Sequence, residues 1–259
     1  MFSRLERALL YFPSHEVAHP LHVFDPRAED VWFGEQESVH GVFVPAPTGL
    51  GGSGITVVFF HGNGGNLSHR APLISRMRNE LGVGALIIDY QGYGKSAGVP
   101  SERATQQDAR AALRYLHSRP DVDPARLVYY GESLGGAVAL QLASEQPPLG
   151  LIVQSSFTSV ADMTRLHYPL LSILLPLVSS RYDSLAAVRS LRAPIMFVHG
   201  AADSLVPPDH SQRLHDAASG PKRLLMIPRA GHNDVFVQGG PGLWQSFRDF
   251  LASLDVRPG

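Results

Sequence analysis

Six short apolar runs with little alternation constrain this chain more than any other feature: residues 55–60 (ITVVFF), 85–88 (ALII), 127–130 (LVYY), 151–153 (LIV), 195–198 (IMFV) and 224–227 (LLMI). A strand with one wet face alternates apolar and polar residues, because successive side chains point to opposite sides. Runs that stay apolar predict strands covered on both faces, as in a parallel sheet flanked by helices. Helical patterns fill the intervals. Residues 101–117 start with Ser101 in the N-cap place and set Ala104, Ala111, Ala112, Leu113 and Leu116 inward. Further helices are expected at 134–144, 209–218 and 243–254. Residues 31–33 and 39–44 read as a leading antiparallel hairpin, ahead of a Pro/Gly-rich stretch at 45–54. This alternation predicts an α/β fold with a mostly parallel, doubly wound sheet. No repeat, low-complexity tract or linker interrupts it, so residues 1–259 are expected to form a single domain.

Composition narrows the chemistry. Lys+Arg number 22 against 23 Asp+Glu, for a net charge of −1, which argues against the basic stripe of a nucleic-acid partner. The chain has no cysteine, so disulfides, thiolate metal sites, Fe–S clusters and a cysteine nucleophile all fall away. His15, His19 and His22 cluster loosely but lack carboxylates at ligand spacing. No metal and no cofactor is expected. The N-terminus, MFSRLERALLYFPS, is too short and charged for a secretory leader, and its apolar run at 8–12 stops at Pro13. No stretch approaches the roughly 18–20 apolar residues of a membrane span; the longest, 170–178 (LLSILLPLV), is broken by Pro176. The chain as it stands is expected to be soluble, cytoplasmic or otherwise, with peripheral membrane contact left open. A leader or anchor ahead of it stays an alternative.

The pattern G-x-S-x-G occurs twice, around Ser96 and around Ser133. A nucleophile elbow needs a strand entering, a sharp turn at the Ser and a helix leaving, with glycines where a Cβ would clash. Ser133 has the strand RLVYY before it and the Ala/Leu-rich GGAVALQLASEQ after it. Ser96 is followed by Ala-Gly-Val-Pro, with no helix before about Ser101, and reads as part of a turn. The stretch from Asp89 to Ser96 also ends like a phosphate-binding loop, and 92–97 resembles a dinucleotide fingerprint. Both need a helix to begin at once, and Pro100 intervenes.

A serine needs a base, and the base an orienting acid. Asp203, in IMFVHGAADSLVP, and His232, in LLMIPRAGHND, each lie in a loop just past a buried strand, where doubly wound sheets collect their functional groups. Asp162, Asp183 and Asp209 are weaker candidates, and Asp234 is too close to His232 in sequence to orient it and instead shapes its loop. The oxyanion is expected to rest on the backbone N–H groups of Leu134 and of Asn63, in the loop HGNGGN after the first central strand.

The motifs HGNGGN, DYQGYGKSAGVPSE, YGESLGGAVA, HGAADSLVP and AGHND, in that order, resemble those of the α/β-hydrolase-domain serine hydrolases, nearest the depalmitoylase-like proteins and their bacterial relatives. The resemblance spans roughly residues 24–254. It implies an α/β-hydrolase fold, with Ser133 as nucleophile, Asp203 as acid and His232 as base. Relatives of this type often carry an apolar or lipidated N-terminal anchor; this chain has no cysteine to acylate and only the short run at 8–12.

Substrate choice is expected to lie in residues 156–192, between the sixth and seventh strands, where such folds insert a small lid. Its stretch from Tyr168 to Val178 is more apolar than a solvent-facing loop, and reads equally as a lid or as packed core. Tyr168, Leu171 and Leu174 there, Leu205 and Val206 beside Asp203, and Gly64 are the candidate substrate-binding residues. The expected activity is serine carboxylester hydrolysis, with a small-molecule or lipid-like ester carrying a hydrophobic acyl group of short to medium length. Three alternatives stand: an acyl-thioesterase with the same triad, an amidase or peptidase, and a non-catalytic scaffold.

Overall fold

The computed structural model describes residues 2–47 and 53–254. Eight strands form one sheet: β1 (Glu29–Phe33), β2 (Val39–Val44), β3 (Thr56–Phe60), β4 (Gly84–Ile88), β5 (Leu127–Glu132), β6 (Gly150–Gln154), β7 (Ile195–Gly200) and β8 (Lys222–Ile227). Their order is β1-β2-β4-β3-β5-β6-β7-β8. Strand β2 runs antiparallel to both neighbours, and the pairs from β4 to β8 are all parallel. The expected hairpin and the expected parallel sheet are both present.

Every residue of β3, β4 and β6 is buried, and the pleat explains why the sequence shows no alternation. Val58, Phe60, Leu86, Ile88, Leu151 and Val153 enter one core, under helices α3 (Glu102–Ser118), α4 (Leu134–Glu145), α6 (Ser184–Ser190) and α7 (Asp209–Ala217). Val57, Phe59, Ala85, Ile87 and Ile152 enter the other, under α2 (Ala71–Leu81) and α8 (Val235–Leu254). Both faces bury apolar area, so both positions of the two-residue period are apolar.

Ser101 caps α3 as expected, its Oγ accepting the Ala104 N–H at 3.1 Å. Four helices lie outside the expected set: α1 (Phe2–Leu10), α2, α5 (Val160–His167) and α6. The final helix starts earlier than the expected 243, because residues 235–239 are already helical before a break at Gly240 (φ 49°, ψ −145°) and Pro241. Of the Pro/Gly-rich stretch 45–54, residues 48–52 lie outside the described residues. No helix among the described residues is long and apolar enough to cross a membrane.

Residues 156–192 comprise α5, a 3-10 segment at Pro169–Leu177 and α6. Leu170 and Ile173 are 90% and 81% exposed, so the 3-10 segment is not packed core, whereas Phe157, Val160, Tyr182 and Val188 on either side of it are.

Candidate active site

The site begins with a backbone constraint. Between β5 and α4, Ser133 sits at φ 54°, ψ −114°, a region that costs a non-glycine residue about 1–3 kcal/mol. The neighbours hold it there. A Cβ on Gly131 would overlap the Gly135 carbonyl, one on Gly135 would overlap the Phe60 carbonyl, and one on Gly136 would lie 2.5 Å from the Ser156 Cβ. The Ser133 N–H donates to the Gln154 carbonyl at 2.8 Å, and the Ser156 hydroxyl donates to the Ser133 carbonyl at 2.9 Å. Residue 133 is therefore pinned from β6 while its side chain projects from the sheet end.

Asp203 and His232 arrive on the loops after β7 and β8. His232 Nε2 lies 3.1 Å from Ser133 Oγ, and His232 Nδ1 lies 2.7 Å from Asp203 Oδ2. Burial alone would raise the Asp203 pKa. Hydrogen bonds from His199, His232 and the Val206 N–H outweigh it and hold the carboxyl well below the usual carboxylate range. An ionised Asp203 makes His232 Nδ1 the donor and leaves Nε2 to accept the Ser133 hydroxyl proton. Asp203 Oδ1 is occupied by the N–H groups of Leu205 and Val206, each at 2.9 Å. Asp234 shapes the His232 loop as expected, accepting the Gly231 N–H at 2.6 Å.

An apolar cavity of about 570 Å³ opens on Ser133, within the ~300–1,000 Å³ typical of small-molecule sites. Asn63, Leu134, Tyr168, Leu174, Leu205 and Val206 all line it. Gly64 does not: it pairs with Phe12 in a two-residue parallel bridge, because the loop after β3 turns away to meet the N-terminal segment. The side chain of Leu171 lies outside the described residues. Sequence reasoning missed Glu6, Leu9, Leu10 and Phe12, which form another part of the lining. Their one signal was the i, i+3, i+4 spacing of residues 6, 9 and 10.

A second feature was also missed. Asp89, 2% exposed, faces His40 Nδ1 at 3.3 Å and accepts the Leu67 N–H at 2.8 Å. His61 Nε2 lies 3.6 Å away. Burial opposes ionisation here too, but the His40 hydrogen bond, the nearby His61 ring and the Leu67 N–H bring the Asp89 pKa down to about 2. The Ser96 hydroxyl donates to the Asp89 carbonyl and accepts the His40 N–H, both at 2.8 Å; Ser96 belongs to this turn. A smaller cavity of about 190 Å³ beside Asp30, His40 and Asp89 contains none of the three candidate triad residues.

Arg70 ties the elbow to the loop after β3. Its guanidinium donates to both Glu132 carboxylate oxygens at 3.2 Å and to the Gly64 carbonyl at 3.0 Å, a planar geometry that lysine does not reproduce.

Residues 53–187 match the family described as serine aminopeptidase, S33. The uncharacterized protein Rv2307c of Mycobacterium tuberculosis (strain ATCC 25618 / H37Rv) is 40% identical over 253 residues, covering 97% of this chain and 89% of that one. The alpha/beta hydrolase domain-containing protein WAV2 of Arabidopsis thaliana is 32% identical over 242 residues, covering 86% and 78% respectively. Among solved structures, the Pyrococcus furiosus esterase Pf2001 shares the fold with a TM-score of 0.72 at 21% identity, over 94% of this chain and 97% of that one. More than half of the chain matches the family and a 40%-identical relative spans nearly all of it, so the chain belongs to the α/β hydrolases of the serine aminopeptidase S33 family.

Proposed function

We propose that this hydrolase is a serine carboxylesterase acting through an acyl-enzyme on esters with a hydrophobic acyl group of short to medium length. One observation carries the reading: the hydrogen-bonded line Ser133–His232–Asp203 presents its serine to an apolar cavity. In the proposed cycle His232 Nε2 takes the Ser133 proton as Oγ attacks the ester carbonyl. The oxyanion is held by the N–H groups of Asn63 and Leu134, each worth about 3 kcal/mol to the transition state in comparable sites. His232 returns the proton to the departing alcohol, leaving Ser133 acylated. The same imidazole then deprotonates water, whose attack releases the acid and restores the serine. Asp203 stays ionised throughout and stabilises the imidazolium.

The lining favours an ester over an aminopeptidase substrate, despite the family's description. A free α-amino group would need a carboxylate to receive it. The one carboxylate among the described lining residues, Glu6, already accepts hydrogen bonds from Ser179 and Ser180. The test is a panel of nitrophenyl esters of graded acyl length, acyl thioesters and aminoacyl anilides, with fluorophosphonate labelling of the wild type and Ser133→Ala. Ester turnover and labelling that both vanish in Ser133→Ala are expected. Labelling that persists in the variant overturns the nucleophile, and turnover confined to thioesters or anilides overturns the substrate class.

A further inference from the structure

Residues 6, 9, 10 and 12 line the cavity, and two sets of bonds fix the segment 2–14 there. At one end the Asn63 carbonyl accepts the Phe12 N–H at 2.9 Å and the Tyr93 hydroxyl at 2.8 Å. The Asn63 side chain donates to the Leu10 carbonyl at 3.2 Å, and the Ser14 N–H donates to the Gly65 carbonyl at 3.0 Å. At the other end Glu6, 7% exposed, accepts the N–H groups of Ser179 at 3.1 Å and Ser180 at 2.7 Å, with the Ser179 hydroxyl at 2.9 Å. The Tyr11 and Tyr182 hydroxyls meet at 3.0 Å. A nine-residue helix is marginal in water by itself, so α1 owes its place to these bonds. A carboxylate so buried demands such partners.

Between the two anchorages, Leu9 and Leu10 face the cavity that opens on Ser133. We propose that α1 is the acyl-length gauge of this enzyme: Leu9 and Leu10 are specificity-determining residues that contact the acyl chain, and Glu6 is a positioning residue that sets how closely they approach. The proposal rests on the esterase reading and deepens it. A chain long enough to reach α1 gains apolar contact there, and each methylene so covered is worth on the order of fourfold in binding. A short acyl group ends before α1 and is indifferent to it.

The test measures kcat/KM for nitrophenyl acetate, butyrate, octanoate and laurate with the wild type, Leu9→Trp, Leu9→Ala, Glu6→Gln and, as a control, Ile173→Ser, whose side chain is turned outward. Leu9→Trp is expected to lower the laurate-to-acetate ratio by about tenfold, the scale on which a filled pocket rejects added methylenes. Leu9→Ala shifts the preferred length upward, Glu6→Gln lowers the same ratio, and Ile173→Ser keeps the wild-type profile. Fluorophosphonate labelling of each variant reports that the triad is assembled. Because the readout is a ratio between two esters on one protein sample, a general loss of folded enzyme does not move it. Variants that label normally but keep the wild-type profile, or lose all esters in proportion, overturn the gauge and leave the esterase reading intact. A wild type that labels yet hydrolyses no ester of any length overturns the esterase reading and takes the gauge with it.

Discussion

Around Ser133 there is no room for a Cβ: on Gly131 or Gly135 it would meet the backbone of Gly135 or Phe60, and on Gly136 the side chain of Ser156. Across the cavity from Ser133, side chains from α1, α5 and the 3-10 segment at Pro169–Leu177 meet over open space, with Glu6, Leu9, Met163, Tyr168 and Leu174 among them. The first region tolerates one residue type at each position, because the constraint is hard-sphere contact with main chain or with the Ser156 side chain. The second tolerates any apolar set of suitable volume, because the constraint is area removed from water. On the proposed function, the stiff region holds the chemistry and the adaptable one selects the substrate.

The widest effect on activity is expected at the stiff end. Ser133→Ala should reduce ester turnover at least 10³-fold, the loss typical when a triad nucleophile is removed, with thermal stability raised or unchanged because the strained position loses only a hydroxyl. Kinetics and a melting curve on the same sample check both parts. Gly135→Ala leaves the chemical groups alone, but forces a methyl into the Phe60 and His61 carbonyls; neither can yield without moving β3. A loss of about 3 kcal/mol or more in denaturant stability is expected, and a loss below 1 kcal/mol would show that the elbow is softer than its contacts imply.

Asp89 sharpens the comparison by acidity. Its folded pKa of about 2, against an ordinary 3.8, means that it adds stability above pH ~4, about 2 kcal/mol at 1.36 kcal/mol per unit, lost as pH falls from about 4 to about 2. Asp89→Asn lacks that contribution, so the stability gap between wild type and variant should close across this interval. Urea midpoints measured from pH 6 downward decide it, and a gap that stays constant refutes the assignment. The smallest effect is expected at Gly64→Ala, where nothing lies within 4 Å of the added methyl. Stability should stay within about 0.5 kcal/mol of wild type. That result would set Gly64 apart from Gly135, although both belong to glycine-rich motifs.

This difference in constraint also explains what could be read in advance. The sheet was visible because β3 to β7 are buried on both faces and say so in unbroken apolar runs. The triad candidates were visible because the elbow admits only glycine around Ser133, because Asp203 follows such a run directly, and because His232 follows the apolar run of the half-exposed edge strand β8. Helix α2 passed unnoticed: it opens with Ala71-Pro72 and its outward face is as polar as a loop. Helix α1 was read only as a failed leader, since its partners at Asn63, Ser179 and Tyr182 lie far along the chain and leave no local trace. Gly64 was placed in the cavity by its motif, whereas the pairing that removes it depends on Phe12. The carboxylates of Glu6 and Asp89, which depend on donors far along the chain, were invisible for the same reason.

The bonds of Glu6 and Tyr11 also bear on how the protein is made. Their partners are separated from them by 171 to 174 residues, and contacts of such range close only after the intervening chain has collapsed. As the chain leaves the ribosome, α1 emerges early and finds only its Asn63 anchorage until residues 179–182 are out. Its Glu6 end must stay unanchored while the sheet assembles. Completion of the cavity is thus a late step, and a nascent chain with a finished elbow has no gauge. The enzyme acquires its chemistry before its selectivity.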